Sequence, residues 1–116
     1  VDACLLKPLQ VDALLAEVRR LLAAGPSRRR VMIIDEDRST LEQLRRLLAA
    51  RGHTVVDVWD ARESVARAKA LRPDLIIVDE LVSNRHHIVR ALECEKELEH
   101  VLFLLVAEGE QGAHGD

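Results

Sequence analysis

Two short aliphatic runs in this 116-residue chain end in carboxylates. Residues 31–34 (Val-Met-Ile-Ile) give way to Asp35, Glu36 and Asp37, and residues 75–78 (Leu-Ile-Ile-Val) to Asp79 and Glu80. A third run, 3–6 (Ala-Cys-Leu-Leu), ends in Lys7 and Pro8. If these are strands of one parallel sheet, their last residues share the rim where ligands of such sheets gather. Asp35, Glu36 and Asp79 converging there repel one another unless a cation lies among them. Mg²⁺ has suitable chemistry, because it takes oxygen ligands, keeps several waters and is shared with phosphate oxygens. A carboxylate is also a nucleophile toward phosphorus and forms an aspartyl phosphate. Lys7 at the same rim supplies the positive charge that a transferring phosphoryl group needs.

Elements between the runs must position these groups. Residues 53–58 and 101–106 read as two further strands, and unbroken apolar runs suit strands buried on both faces of a parallel sheet. Ser39 with Glu42 fits a capping box before a stripe of Leu41, Leu44, Leu47 and Leu48, and Gly52 is a natural stop. Asp60 is placed to cap a helix carrying Val65, Ala68 and Leu71 that ends before Pro73. A helix over 85–98 buries Ile88, Val89 and Leu92, and one over 10–24 buries Leu14, Val18, Leu21 and Leu22. The alternation predicts an α/β sheet built from right-handed crossovers. Residues 25–27 (Gly-Pro-Ser) read as a linker and Arg28, Arg29 and Arg30 as a solvated basic lead. The tail 108–116 carries Gly109, Gly112 and Gly115, too much glycine for a stable helix, and is expected as loop or disorder.

Composition narrows the function classes. Hydrophobic residues make up 48% and charged residues 32%, a globular balance with room for one domain. Aromatics are 2% (Trp59 and Phe103), too few for a platform that stacks single-stranded nucleic acid, and a net charge of −3 offers no attraction to DNA or anionic lipid. No nucleic-acid or membrane partner is expected, and no apolar run is long enough to span a bilayer. Cys4 and Cys94 make neither a disulfide framework nor a zinc site and read as reduced thiols of a cytoplasmic protein. His53, His86, His87, His100 and His114 lack metal-site spacing and read as solvated. Trp59, at a strand-to-helix junction, reads as a partly buried packing residue.

Three segments together resemble the receiver domain of bacterial two-component response regulators: 31–37 (Val-Met-Ile-Ile-Asp-Glu-Asp), 72–79 (Arg-Pro-Asp-Leu-Ile-Ile-Val-Asp) and 5–8 (Leu-Leu-Lys-Pro). The resemblance covers nearly all of the chain except its last nine or so residues. It implies a flavodoxin-like three-layer sandwich whose five-stranded parallel sheet has the order 2-1-3-4-5 in the family's strand numbering. It also implies Asp79 as phospho-acceptor, Asp35 and Glu36 with Asp79 as Mg²⁺ ligands, and Lys7 as the phosphoryl contact. Lys7-Pro8 is similar to the family's cis-proline junction. The implied activity is that of a phosphorelay module in signal transduction, a phosphoprotein rather than an enzyme. Its implied partner is a histidine kinase or phosphotransfer protein.

The order departs from the family, because the last strand and helix come first. Residues 1–25 hold that strand-helix segment, and 28–116 hold the body with a degenerate fourth helix. Such a chain is either permuted or a piece of a tandem array. The four-stranded body alone would leave a sheet edge and an apolar face bare, so residues 3–6 are expected to dock beside 101–106. That docking is expected within the chain or by exchange in a homodimer. Val106 stands where the family has a hydroxyl residue and Cys4 where it has an aromatic switch, both reading as core filler. Ser83 and His87 replace the usual proline and glycine after the acceptor. These departures support a second reading, a pseudo-receiver that binds partners independently of phosphorylation. A third, remoter reading is a haloacid-dehalogenase-type phosphatase through Asp35 and Asp37, against which Arg38 stands where that family has glycine. Dinucleotide binding fails, because the loop 35–40 has no glycine and its carboxylates repel a pyrophosphate.

Overall fold

Runs of valine, leucine and isoleucine become strands here because helices cover both sides of the sheet they form. The computed structural model of the chain describes residues 2–7, 9–23, 25 and 29–107. The strands are β1 (Ala3–Leu6), β2 (Arg30–Ile34), β3 (Thr54–Val58), β4 (Leu75–Asp79) and β5 (Leu102–Ala107). The helices are α1 (Val11–Leu21), α2 (Arg38–Ala49), α3 (Ser64–Leu71) and α4 (Arg85–Glu93), with short 3₁₀ turns at Ala61–Glu63 and Lys96–Leu98. All pairings are parallel and the sheet order is β1-β5-β4-β2-β3. Renumbered as the receiver family counts its strands and read from the other edge, this is the expected 2-1-3-4-5. The predicted sandwich is the observed one.

The opening segment docks where its sequence places it. Ala3 lies opposite Leu104 and Leu6 opposite Ala107. Main-chain bonds close the pairing at both ends, Asp2 N–H to Phe103 O and Lys7 N–H to Ala107 O, each 2.8 Å. The Asp2 carboxylate accepts the Phe103 N–H at 2.8 Å, so the edge strand is pinned by a side chain as well.

Alternation along each strand divides the core into two layers. On one face Leu14 and Val18 of α1 and Leu41, Leu44 and Leu48 of α2 pack on Val31, Ile33, Leu75, Ile77, Leu104 and Val106. On the other, Ala68 of α3 and Leu92 of α4, with Leu98, pack on Met32, Ile34, Val58, Ile76, Val78 and Phe103. The predicted apolar stripes are therefore the buried ones.

Several boundaries differ. The predicted helix 10–24 is shorter, as α1 ends at Leu21. The N-cap of α2 is Asp37 rather than Ser39: its carboxylate accepts the Ser39 N–H at 3.0 Å and the Thr40 hydroxyl at 2.9 Å. Glu42, freed from the expected box, binds Arg45 and Arg46 at 2.7 and 2.8 Å. Asp60 caps the 3₁₀ turn that leads into α3, and the helix predicted over 85–98 breaks after Glu93. Gly52 stops α2 in the left-handed region at φ 92°, as read. Arg29 is no solvated lead. Its guanidinium lies 3.5 Å from Asp74, whose carboxylate also accepts the Arg30 N–H at 2.9 Å. Main-chain bonds from Asp74 N–H to Arg30 O and from Leu102 N–H to Asp74 O join the starts of β2, β4 and β5. The cis junction at Pro8, linker residues 26 and 27, Arg28 of the basic lead and the tail 108–116 lie outside the described residues.

Candidate functional site

The central strands β2 and β4 are paired through four consecutive positions, which carries Asp35 and Asp79 to the same rim. Both carboxylates are buried, at 5% and 3% exposure. Asp35 Oδ1 accepts the Asp37 N–H at 2.9 Å, and Asp79 Oδ1 accepts the Leu81 N–H at 2.8 Å. These turns aim each side chain back over the sheet. Lys7 arrives from the far side of β5, and its Nζ lies 2.6 Å from Asp79 Oδ2. Burial pushes the Asp35 carboxyl up to about 6 from an ordinary 3.8, and the charge and hydrogen bonding of Asp79 add to the rise. The Asp37 N–H and the Lys7 ammonium oppose it without cancelling it.

Glu36 faces the β4–α4 loop, where it accepts from Ser83 N–H at 3.4 Å and the Ser83 hydroxyl at 3.3 Å. Ser83 was read only as a replacement for proline, and its hold on Glu36 has no sequence signal, since it depends on how the loop folds. Among the described residues no group of three or more His, Cys, Asp or Glu is placed to hold a metal ion. The donor set is therefore Asp35 with Asp79, two carboxylates crowded enough to raise one of them. That chemistry fits Mg²⁺, which needs only one or two protein carboxylates and completes its shell with water and phosphate oxygens.

The two switch positions lie on adjacent strands and face opposite sides of the sheet. Val106 is paired opposite Asp79, and its side chain is buried in the α1–α2 layer as filler. Cys4 is exposed, which corrects the reading of it as filler. Trp59 is also more open than expected, 54% exposed, with the Arg38 guanidinium 4.7 Å from its ring centroid. Leu81, two residues after Asp79, is likewise 62% exposed.

Comparison with known proteins agrees with this architecture. Over 50 residues the chain is 36% identical to the response regulator MprA of Mycolicibacterium vanbaalenii, a match covering 43% of this chain and 22% of that protein's length. The chemotaxis response regulator CheY4 of Vibrio cholerae superposes with a TM-score of 0.61 at 26% identity, over 66% of this chain and 65% of that one. The N-terminal domain of a response regulator receiver protein from Methanoculleus marisnigri JR1 gives the same TM-score, 0.61, at 9% identity over 75% and 89% of the two chains, a likeness of fold. No protein-family profile matches the chain. Sheet order and comparisons together show a fold similar to that of response-regulator receiver domains, and the chain spans less than two thirds of the relatives MprA and CheY4. Among the described residues no helix is long and apolar enough to cross a membrane.

Proposed function

We propose that this receiver domain accepts a phosphoryl group on Asp79 from a histidine kinase or phosphotransfer protein. The supporting observation is the ion pair of Lys7 Nζ with Asp79 Oδ2 at 2.6 Å, beside the raised carboxyl of Asp35. In the transfer an Asp79 oxygen forms a bond to phosphorus as the P–N bond of a phosphohistidine breaks, and the imidazole nitrogen keeps the electron pair. Lys7 keeps a positive charge beside the acceptor throughout, and the Leu81 N–H holds the second carboxylate oxygen in place. Mg²⁺ held by Asp35 and Asp79 would supply charge neutralisation to the phosphoryl oxygens. Glu36, which accepts from Ser83, would add a third carboxylate to the ion's donors. Incubation with Mg²⁺ and acetyl phosphate followed by intact mass measurement tests the proposal. One phosphoryl group per chain, lost in Asp79→Asn, supports it, and an unlabelled chain rejects it.

Val106 and Cys4 favour a second reading, in which the domain binds its partner without phosphorylation. The strand end opposite Asp79 has no hydroxyl to follow a phosphoryl oxygen, and the edge strand has no aromatic ring to swing. Partner binding that is unchanged in Asp79→Asn and Asp79→Glu supports this reading, and a defect in either opposes it.

A further inference from the structure

Asp79 and Ser83 are linked by consecutive tight turns. The Leu81 N–H bonds the Asp79 carboxylate at 2.8 Å, the Val82 N–H bonds Asp79 O at 3.1 Å and the Arg85 N–H bonds Val82 O at 3.1 Å. Asn84 completes the loop in the left-handed region at φ 57°, which asparagine tolerates better than most side chains. These bonds hold Ser83 at a fixed reach from Asp79. From there it turns two donors on Glu36, its N–H to Oε2 at 3.4 Å and its hydroxyl to Oε1 at 3.3 Å. Each carboxylate oxygen of Glu36 is thus engaged. A proline at position 83, as in the receiver pattern, would offer neither donor. Glu36 directly follows Asp35, yet among the described residues it does not join Asp35 and Asp79 in a group placed to hold a metal ion. The third acid of the rim is turned toward the β4–α4 loop instead.

We propose that Ser83 is a positioning residue that competes with Mg²⁺ for the Glu36 carboxylate. The proposal rests on the reading of Asp35 and Asp79 as Mg²⁺ ligands. An ion at that pair gains a third negative charge only when Glu36 exchanges Ser83 for the metal. Ser83 therefore lowers the affinity of the site for the ion. The same exchange frees Ser83, so the arrival of the ion is felt in the loop that leads into α4. Both bonds are long and exposed, which makes the competition modest rather than a block. Val106 and Cys4 lack the hydroxyl and the ring that receivers use for this purpose, whereas the exchange at Ser83 needs neither of them.

Titration with Mg²⁺ alone, followed by the amide NMR shifts of residues 81 and 83, tests the proposal in wild type, Ser83→Ala, Ser83→Thr, Glu36→Gln and Ser83→Ala/Glu36→Gln. The Leu81 amide, bonded to Asp79, reports the arrival of the ion, and the amide of residue 83 reports the release of Glu36. In wild type the two are expected to shift with one midpoint. Ser83→Ala should bind Mg²⁺ about two- to fivefold more tightly, and Ser83→Thr, which keeps both donors, within about twofold of wild type. Glu36→Gln should bind more weakly, and in that background Ser83→Ala should no longer change the affinity. An amide at position 83 that stays still while that of Leu81 shifts overturns the proposal. Unchanged or weaker binding in Ser83→Ala, or an equal gain in the Glu36→Gln background, overturns it too. A Leu81 amide indifferent to Mg²⁺ in every protein overturns the Mg²⁺ reading as well, so the two failures are told apart.

Discussion

Lys7 and Asp79 end strands that do not touch: β5 lies between β1 and β4, and the two side chains meet at 2.6 Å across it. The contact ties the chain's opening segment to the centre of the sheet. It also compensates a carboxylate that burial would otherwise leave beside another one. Lys7→Met keeps the stem and removes the charge. It is expected to lower stability at neutral pH by roughly 1–3 kcal/mol, less than for a fully buried pair because Lys7 is partly exposed. The loss shrinks at about pH 4.5, where Asp35, whose carboxyl is pushed up to about 6, has taken up its proton. Urea unfolding at the two pH values measures both, and equal stability of variant and wild type contradicts the pairing.

Asp35 makes a distinct pH dependence. Its folded value of about 6 lies above its ordinary 3.8, so the native state binds this proton more tightly than the unfolded state. Its contribution is most favourable below about pH 4 and is lost as pH rises through 6. Asp37, Asp60 and Glu42 are held below their ordinary values, by hydrogen bonds from Thr40, Arg62 and Arg45 respectively, and act oppositely, at lower pH. Asp35→Asn is therefore expected to be more stable than wild type at pH 7 and to lack the decline between about pH 4 and 7. Parallel stability curves for the two proteins would contradict the assignment.

Leu14, 1% exposed, carries α1 onto the sheet against Val31 and Leu104. Leu14→Ala should destabilise by roughly 2–4 kcal/mol, while Val11→Ala, at an exposed position of the same helix, should change stability by less than about 0.5 kcal/mol. Thermal unfolding compares them. Equal effects would mean that α1 does not pack there.

The cap of α2 separates two readings of one stretch. Asp37→Ala should cost about 1 kcal/mol, and Ser39→Ala only a few tenths. The reverse order, by urea unfolding, would restore the Ser39–Glu42 box.

What the sequence shows depends on how local the cause is. Asp35, Asp79 and Lys7 were legible because each directly ends an apolar run, and strands of one parallel sheet bring such ends to one rim. The docking of residues 3–6 was legible because the remaining strands need a partner. Glu36 was placed with the ligands because it follows Asp35, yet its contact is with Ser83, 47 residues away in a loop whose path no periodicity encodes. Asp37 and Ser39 both satisfy the N-cap preference, and only the backbone geometry chooses between them. Asp74 joins three strand starts through its main-chain groups and its carboxylate, and its partners Arg29 and Arg30 lie 44 residues or more away in the chain, beyond the reach of any periodicity. Trp59 was expected to be partly buried because aromatics usually are, whereas it is largely exposed, with the guanidinium of Arg38 from α2 over its ring.

The central claim is that Lys7 and Asp79 form one acceptor site. Its most direct measurement is the initial rate of phosphoryl incorporation from acetyl phosphate with Mg²⁺, by intact mass, in wild type, Lys7→Met and Asp79→Asn. The prediction is a stoichiometric, hydroxylamine-labile label in wild type, at least about a tenfold slower rate in Lys7→Met and none in Asp79→Asn. A label that persists in Asp79→Asn, or a rate indifferent to Lys7, would contradict the account.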